Sequence, residues 1–106
     1  MRSLIITQKA QRDIWRTMDW LETRYRPAVA NKWYFAIMRS AEALQQQPAP
    51  HPVPDELSLP GIGLREKLIR RYRGVVYRIL YSFDDSTVTI HRVRNAVQDS
   101  LTEDDF

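Results

Sequence analysis

The strictest constraint on this chain is the alternation between Val75 and Phe83. Val75, Tyr77, Ile79, Tyr81 and Phe83 fall on one parity, and Val76, Arg78, Leu80 and Ser82 on the other. A period of two with the large apolar side chains on one side describes a strand that buries one face against a second layer. Such a strand needs partners for its backbone groups, and the sequence supplies one on each side. Leu64 to Tyr72 reads as a strand with Leu64, Leu68 and Tyr72 on one parity and Arg65, Lys67 and Arg71 on the other. Arg73-Gly74 makes the tight turn between these two strands. Asp84-Asp85-Ser86 is the next turn, and Thr87 to Arg94 follows with Val88 and Ile90 in phase and Val93 out of phase. That slip predicts a bulge or a strand end near His91-Arg92. Residues 64–95 are therefore a β-meander, and they hold eight of the sixteen Lys and Arg residues.

The covering layer comes from the first half of the chain. Ser3 to Thr7 is short and β-branched and reads as a strand, after which the Thr7 hydroxyl serves as a helix N-cap. Ala10, Ile14, Met18, Leu21 and Tyr25 recur in steps of three and four, one stripe of an amphipathic helix from Gln8 to about Tyr25. Arg12, Arg16, Asp19 and Glu22 occupy its wetter side, and Trp15 and Trp20 flank the stripe. Pro27 interrupts this pattern, and a second helix runs from Ala28 to about Gln47 with Ala30, Trp33 or Tyr34, Ile37, Ala41 and Leu44 on its apolar face. So short a connection makes the helices, about residues 8–47, an antiparallel hairpin. Trp33, Tyr34 and Phe35 cannot all face one side, so burial takes at least two of them and part of that aromatic surface lies elsewhere. Five of the six prolines fall in the next stretch, so residues 48–62 are an extended crossover, and Gly61 and Gly63 turn the chain into the meander. The expected fold is one α+β domain of order β-α-α-β-β-β. An antiparallel sheet is covered on one face by the hairpin, and Arg78 sits mid-strand on the open face.

Composition excludes several chemistries. There is no cysteine, so thiol catalysis, disulfides and cysteine zinc sites are ruled out, and a reducing cytoplasm is permitted. His51 and His91 lie in separate elements without carboxylates at ligand spacing, so no metal site is expected. Gly61 and Gly63 lack the third glycine and the following helix of a phosphate loop, and no cofactor is implied. No apolar run approaches the ~20 residues of a membrane span, and the N-terminal apolar stretch is too short for a signal peptide, so a cytoplasmic, membrane-free protein is expected. The formal charge is +3, yet the last eight residues, 99–106, carry four acids and no base. Without that acidic tail the body is more basic, which suits a nucleic acid or an acidic protein partner; the alternative is a solvated surface.

The order and spacing of several pieces resemble the RelE/ParE superfamily of type II toxin–antitoxin toxins over nearly the whole chain. They are A-x-x-D-I-x-x-x-x-x-W-L at Ala10 to Leu21, the proline-rich crossover, G-x-R-E at Gly63 to Glu66, Y-R-I-L-Y at Tyr77 to Tyr81, and T-I-H-R-V-R-N at Thr89 to Asn95. The resemblance implies one of two activities on a shared fold. RelE-like members cleave messenger RNA on the ribosome with a basic set; ParE-like members poison DNA gyrase and carry a longer helical hairpin. Carried over, the ribonuclease set is Arg78 on the central strand with Arg65 and Lys67 on the preceding one. Outside that set, His91 has the chemistry of an acid or base, against the plainer reading of a surface histidine at a strand end. Ala96 stands where the RelE C-terminal arginine would align, no tyrosine follows, and the chain ends acidic. The ParE-like branch is therefore the expected one: a toxin that binds gyrase and is neutralised by a cognate antitoxin folding over it, with operator DNA reached only through that antitoxin. The alternatives are the ribosome-dependent endonuclease and a non-toxic remnant that only binds a partner. Candidate binding residues are Arg70, Arg71, Arg73, Arg78, Arg92 and Arg94 on the meander, and Trp15 and Trp33 on the hairpin. Against these stand plainer readings: a solvated hairpin tip for Arg70, Arg71 and Arg73, and an arginine stem covering apolar sheet for Arg78.

Overall fold

The computed structural model describes residues 2–48, 63–72 and 75–95, and the side chains of residues 70–72 are not among what it describes. The Arg73-Gly74 turn, most of the proline-rich crossover, the acidic tail, and the side chains of Arg70 and Arg71 thus lie outside the described residues.

The described elements are β1 (Ser3–Ile6), α1 (Gln8–Arg24), α2 (Pro27–Gln46), β2 (Arg65–Tyr72), β3 (Val75–Phe83) and β4 (Thr87–Asn95). Thr7 caps α1 as expected, its hydroxyl accepting from the Ala10 amide at 3.1 Å. Pro27 opens α2, where a missing N–H leaves nothing unsatisfied. Gly63 turns the chain toward β2 with φ at +62°, a conformation that a Cβ disfavours. Asp84 closes the β3–β4 turn by accepting from the amides of Ser86 and Thr87 at 2.9 and 2.8 Å. Those two backbone bonds hold its carboxyl below the usual value.

The sheet order is β1-β4-β3-β2. β2, β3 and β4 form the expected antiparallel meander, but β1 joins β4 in parallel, so the sheet is mixed rather than wholly antiparallel. Chain direction explains this. α1 continues onward from β1 along the end of β4, where Asp13 reaches Val93. α2 then returns to where β1 began, placing the Gln45 amide 2.8 Å from the Arg2 carbonyl. β2 therefore sets out in the direction of β1, and two reversals bring β4 parallel to it.

One core fills the space between sheet and hairpin. Ala10, Ile14 and Leu21 of α1 and Val29, Ala30, Trp33, Ile37, Ala41 and Leu44 of α2 meet Tyr77, Ile79 and Tyr81 of β3 and Val88, Ile90 and Val93 of β4. Val88, Ile90 and Val93 share that core despite their broken phase because the ladder slips by one residue. Leu80 pairs with Arg92 but Tyr81 pairs with Ile90, leaving His91 as the extra residue of a bulge. Tyr81 is fully buried and donates its hydroxyl to the Pro48 carbonyl, and burial pushes its pKa up to about 12. Tyr25 departs from the expected stripe: it caps α1 and is exposed, packed edge-on against Trp20.

Candidate functional site

Alternation along β3 sends Arg78, Leu80 and Ser82 to the face opposite the helices. Arg78 is not open there. It is only 8% exposed, and its Nε lies 2.5 Å from Glu66 Oε1 on β2. A guanidinium buried in this way needs a carboxylate, and Glu66 supplies it from the neighbouring strand. Leu64 and Leu80 are buried as well, so this side of the sheet is less open than alternation alone implies.

Arg65 and Lys67 do not join Arg78. Their register partners are Tyr81 and Ile79, whereas the partner of Arg78 is Leu68, so the two cations lie on the helix side of the sheet. The Arg65 guanidinium stacks 5.5 Å from the centre of the Phe83 ring, with Arg2 at 5.6 Å from the same ring. The Lys67 ammonium donates to the Ser40 carbonyl of α2 at 3.3 Å, and burial lowers its pKa. The four ribonuclease candidates are thus divided, with Arg65 and Lys67 on one face of the sheet and Arg78 on the other, where His91 meets Ser82.

His91, expected at a strand end, lies inside β4 at the bulge, half-buried, with Nε2 2.7 Å from Ser82 Oγ. Burial lowers the imidazole pKa below its ordinary 6.5. The native chain therefore binds fewer protons than the unfolded chain once the pH falls below that value. The stability this histidine contributes is full above pH 6.5 and is lost as the pH falls through the depressed pKa. The denaturation midpoint is expected to drop on acidification from about pH 7 to 5, and His91→Gln should flatten that part of the profile in urea titrations.

The end of β4 carries an arrangement that sequence patterning did not isolate. β1 accompanies β4 only as far as Ile90. Beyond it, the Thr7 amide donates to the Ile90 carbonyl at 3.1 Å and the Thr7 hydroxyl to the His91 carbonyl at 3.0 Å. Asp13 of α1 then accepts from the Val93 amide at 3.0 Å and from Arg92 Nε and Nη2 at 2.6 and 2.7 Å. One buried carboxylate thereby satisfies a strand edge and pins α1 to the sheet. Arg92, a candidate binding residue, is a structural partner here. The available signal was Asp13 itself, a carboxylate three residues after Ala10 and hence on the buried stripe. Arg94 pairs with Arg78 in register and lines, with Asp13, Arg16, Trp20 and Arg92, a groove of about 520 Å³.

The aromatic candidates separate. Trp15 is 61% exposed on α1, beside Tyr34 and Met38 of α2. Trp33 was expected on a docking surface, and the structure corrects this: it is 1% exposed in the middle of the core, its ring centre 5.3 Å from that of Tyr77. The reason is helical phase, since Trp33 aligns with Ala30, Ile37, Ala41 and Leu44 on the buried side of α2. Phe35 takes the solvent side instead. No group of His, Asp and Glu among the described residues is placed to hold a metal ion.

Comparison with known proteins agrees with this architecture. The chromosomal ParDE toxin–antitoxin system from P. aeruginosa contains a chain of similar fold, with a TM-score of 0.73 at 23% identity, covering 90% of this chain and 96% of that one. Comparison with curated proteins gives no match. A family model for the ParE toxin of the type II toxin–antitoxin system parDE matches residues 4–100. With the match running from β1 past the end of β4, the chain belongs to the ParE toxin family of type II toxin–antitoxin systems.

Proposed function

We propose that this chain is a toxin that acts by binding a protein target, DNA gyrase, without cutting RNA, and that a cognate antitoxin neutralises it in the cytoplasm. The observation that carries this reading is the fate of the cations suited to phosphate chemistry. RNA cleavage needs several groups converging on one phosphate and one 2′-hydroxyl. Here Arg78 is tied to Glu66, and Arg65 and Lys67 lie across the sheet from it. Such a division removes the focused positive field that a phosphoryl transition state requires, and it leaves a charged, aromatic-bearing surface suited to docking. Gyrase as the target follows from the resemblance to the ParE-like branch, and the antitoxin from membership in the family.

The test uses the purified full chain in two reactions. Supercoiling by purified gyrase should be inhibited in proportion to the chain added and restored by the antitoxin encoded beside it. Messenger RNA on translating ribosomes should stay intact at the same concentrations. Cleaved messenger RNA with unaffected gyrase would replace this reading with the endonuclease one. Inactivity in both assays, together with normal growth on expression, would favour a partner-binding remnant.

A further inference from the structure

The outer face of the helical hairpin carries two large rings that the core does not use: Trp15 of α1 is 61% exposed and Phe35 of α2 is 64% exposed. Beside them lies a groove of about 200 Å³, lined by Ile6, Gln11, Ile14, Trp15, Tyr34 and Met38. The amide in that lining is already committed, since Gln11 Nε2 donates to the Ile6 carbonyl at 3.2 Å. An apolar cavity of roughly 150 Å³ suffices for a benzene ring, so this groove has room for one phenyl side chain. Phe35 stands next to it, its ring centre 6.0 Å from that of Tyr34 on the groove wall. Knob and recess therefore occur on one surface. A two-fold dimer requires this, because its interface is one patch meeting its own copy.

Charge divides in the same sense. Residues three, four and seven positions away share a helix face with Trp15 and Phe35. On α1 these positions hold exposed Asp19 and Glu22 against Arg12, an acidic excess. On α2 they hold exposed Lys32 and Arg39 against Glu42, a basic excess.

We propose that this face binds a second copy of the chain about a two-fold axis, with α1 of each copy against α2 of the other and each Phe35 ring in the other's groove. The acidic line of α1 then meets the basic line of α2 twice, while pairing α1 with α1 would set like charges together. That difference fixes the orientation. The two exposed rings offer about 250 Å² per copy, against roughly 800 Å² per partner in a stable interface. So small an apolar centre gives an association governed by concentration, half complete on the order of tens of micromolar.

The test is sedimentation equilibrium of the purified full chain from about 1 to 300 µM, with circular dichroism of every variant. Phe35 and Trp15 are exposed, so the fold tolerates Phe35→Ser and Trp15→Ala. Each should weaken dimerisation about tenfold or more. Leu68→Ser removes an equally exposed apolar side chain from β2, away from this face, and should dimerise as wild type does. Reversing Lys32 and Arg39 together to Glu should weaken the dimer, and adding Asp19→Lys and Glu22→Lys should restore it. A wild-type chain that stays monomeric throughout the range would overturn the proposal. So would a dimer unaffected by Phe35→Ser, or one dissociated equally by Leu68→Ser. Failure of the fourfold charge variant to recover, with its circular dichroism unchanged, would overturn the pairing of α1 with α2. If Phe35→Ser instead abolishes gyrase inhibition or antitoxin binding while the wild-type chain is monomeric, the face belongs to that partner and the dimer assignment falls.

Discussion

Replacing Asp13 by Ala should destabilise the protein by about 3–5 kcal/mol, the range for breaking a buried ion pair from one side. The size follows from what is left behind. The Arg92 guanidinium loses its two bonds to the carboxylate and stays largely out of water, and the Val93 amide on the strand edge loses its acceptor. Both losses fall where α1 meets β4, so the helix should also loosen from the sheet. Asp13→Asn retains a carbonyl oxygen for the amide while removing the charge, and should cost less than the alanine change. Removing both partners, as in Asp13→Leu with Arg92→Met, should recover part of the loss. Urea denaturation of the four proteins checks the order. An alanine variant within about 0.5 kcal/mol of wild type would show that Asp13 does not pin the helix.

Trp33→Ala is the second large effect, expected at about 3–5 kcal/mol from lost burial and the cavity it leaves. Trp33 is surrounded by both helices and the sheet, so no single neighbour can collapse into its place. Its indole N–H is buried without a hydrogen-bond partner, a penalty the native state already carries. Truncation relieves that penalty, which moves the expected value toward the lower end of the range. Trp33→Phe separates the two terms: it keeps most of the aromatic contact with Tyr77 and removes the unsatisfied donor, so it should cost far less than alanine. Thermal denaturation distinguishes the pair, and equal losses for Phe and Ala would mean that packing around the second ring dominates.

Periodicity within single elements was legible in the sequence, and relations between elements were less so. The stripes of α1 and α2, the alternation of β3 and the slip at His91 all follow from side chains competing for one apolar layer, a competition visible in composition at fixed spacing. The parallel pairing of β1 was hidden because a four-residue strand has the same alternation in either direction. The position of Arg65 and Lys67 was hidden for a related reason. Parity shows which residues of β2 share a face, and the helix side of that strand is then set by its register against β3, which shifts between Ile69 and Tyr72. Tertiary pairing also redirected the charged candidates. Arg78 and Arg92 look like surface cations along the chain, yet each meets a carboxylate from a different element, Glu66 and Asp13. Sequence distance conceals such partners: Arg92 and Asp13 are 79 residues apart.

We propose that Arg78, tied to Glu66, serves as a structural cation and not as the centre of a phosphate-cleaving site. The direct measurement is growth arrest on induction of a double variant, Glu66→Leu with Arg78→Met, beside the wild-type chain. Replacing both members of a buried pair by apolar residues of similar size is often neutral or stabilising, so the fold is preserved while the guanidinium is removed. Arrest as strong as wild type, with gyrase supercoiling equally inhibited, is the predicted result. Loss of arrest in a variant whose circular dichroism and denaturation midpoint match wild type would contradict the account and return Arg78 to the reaction.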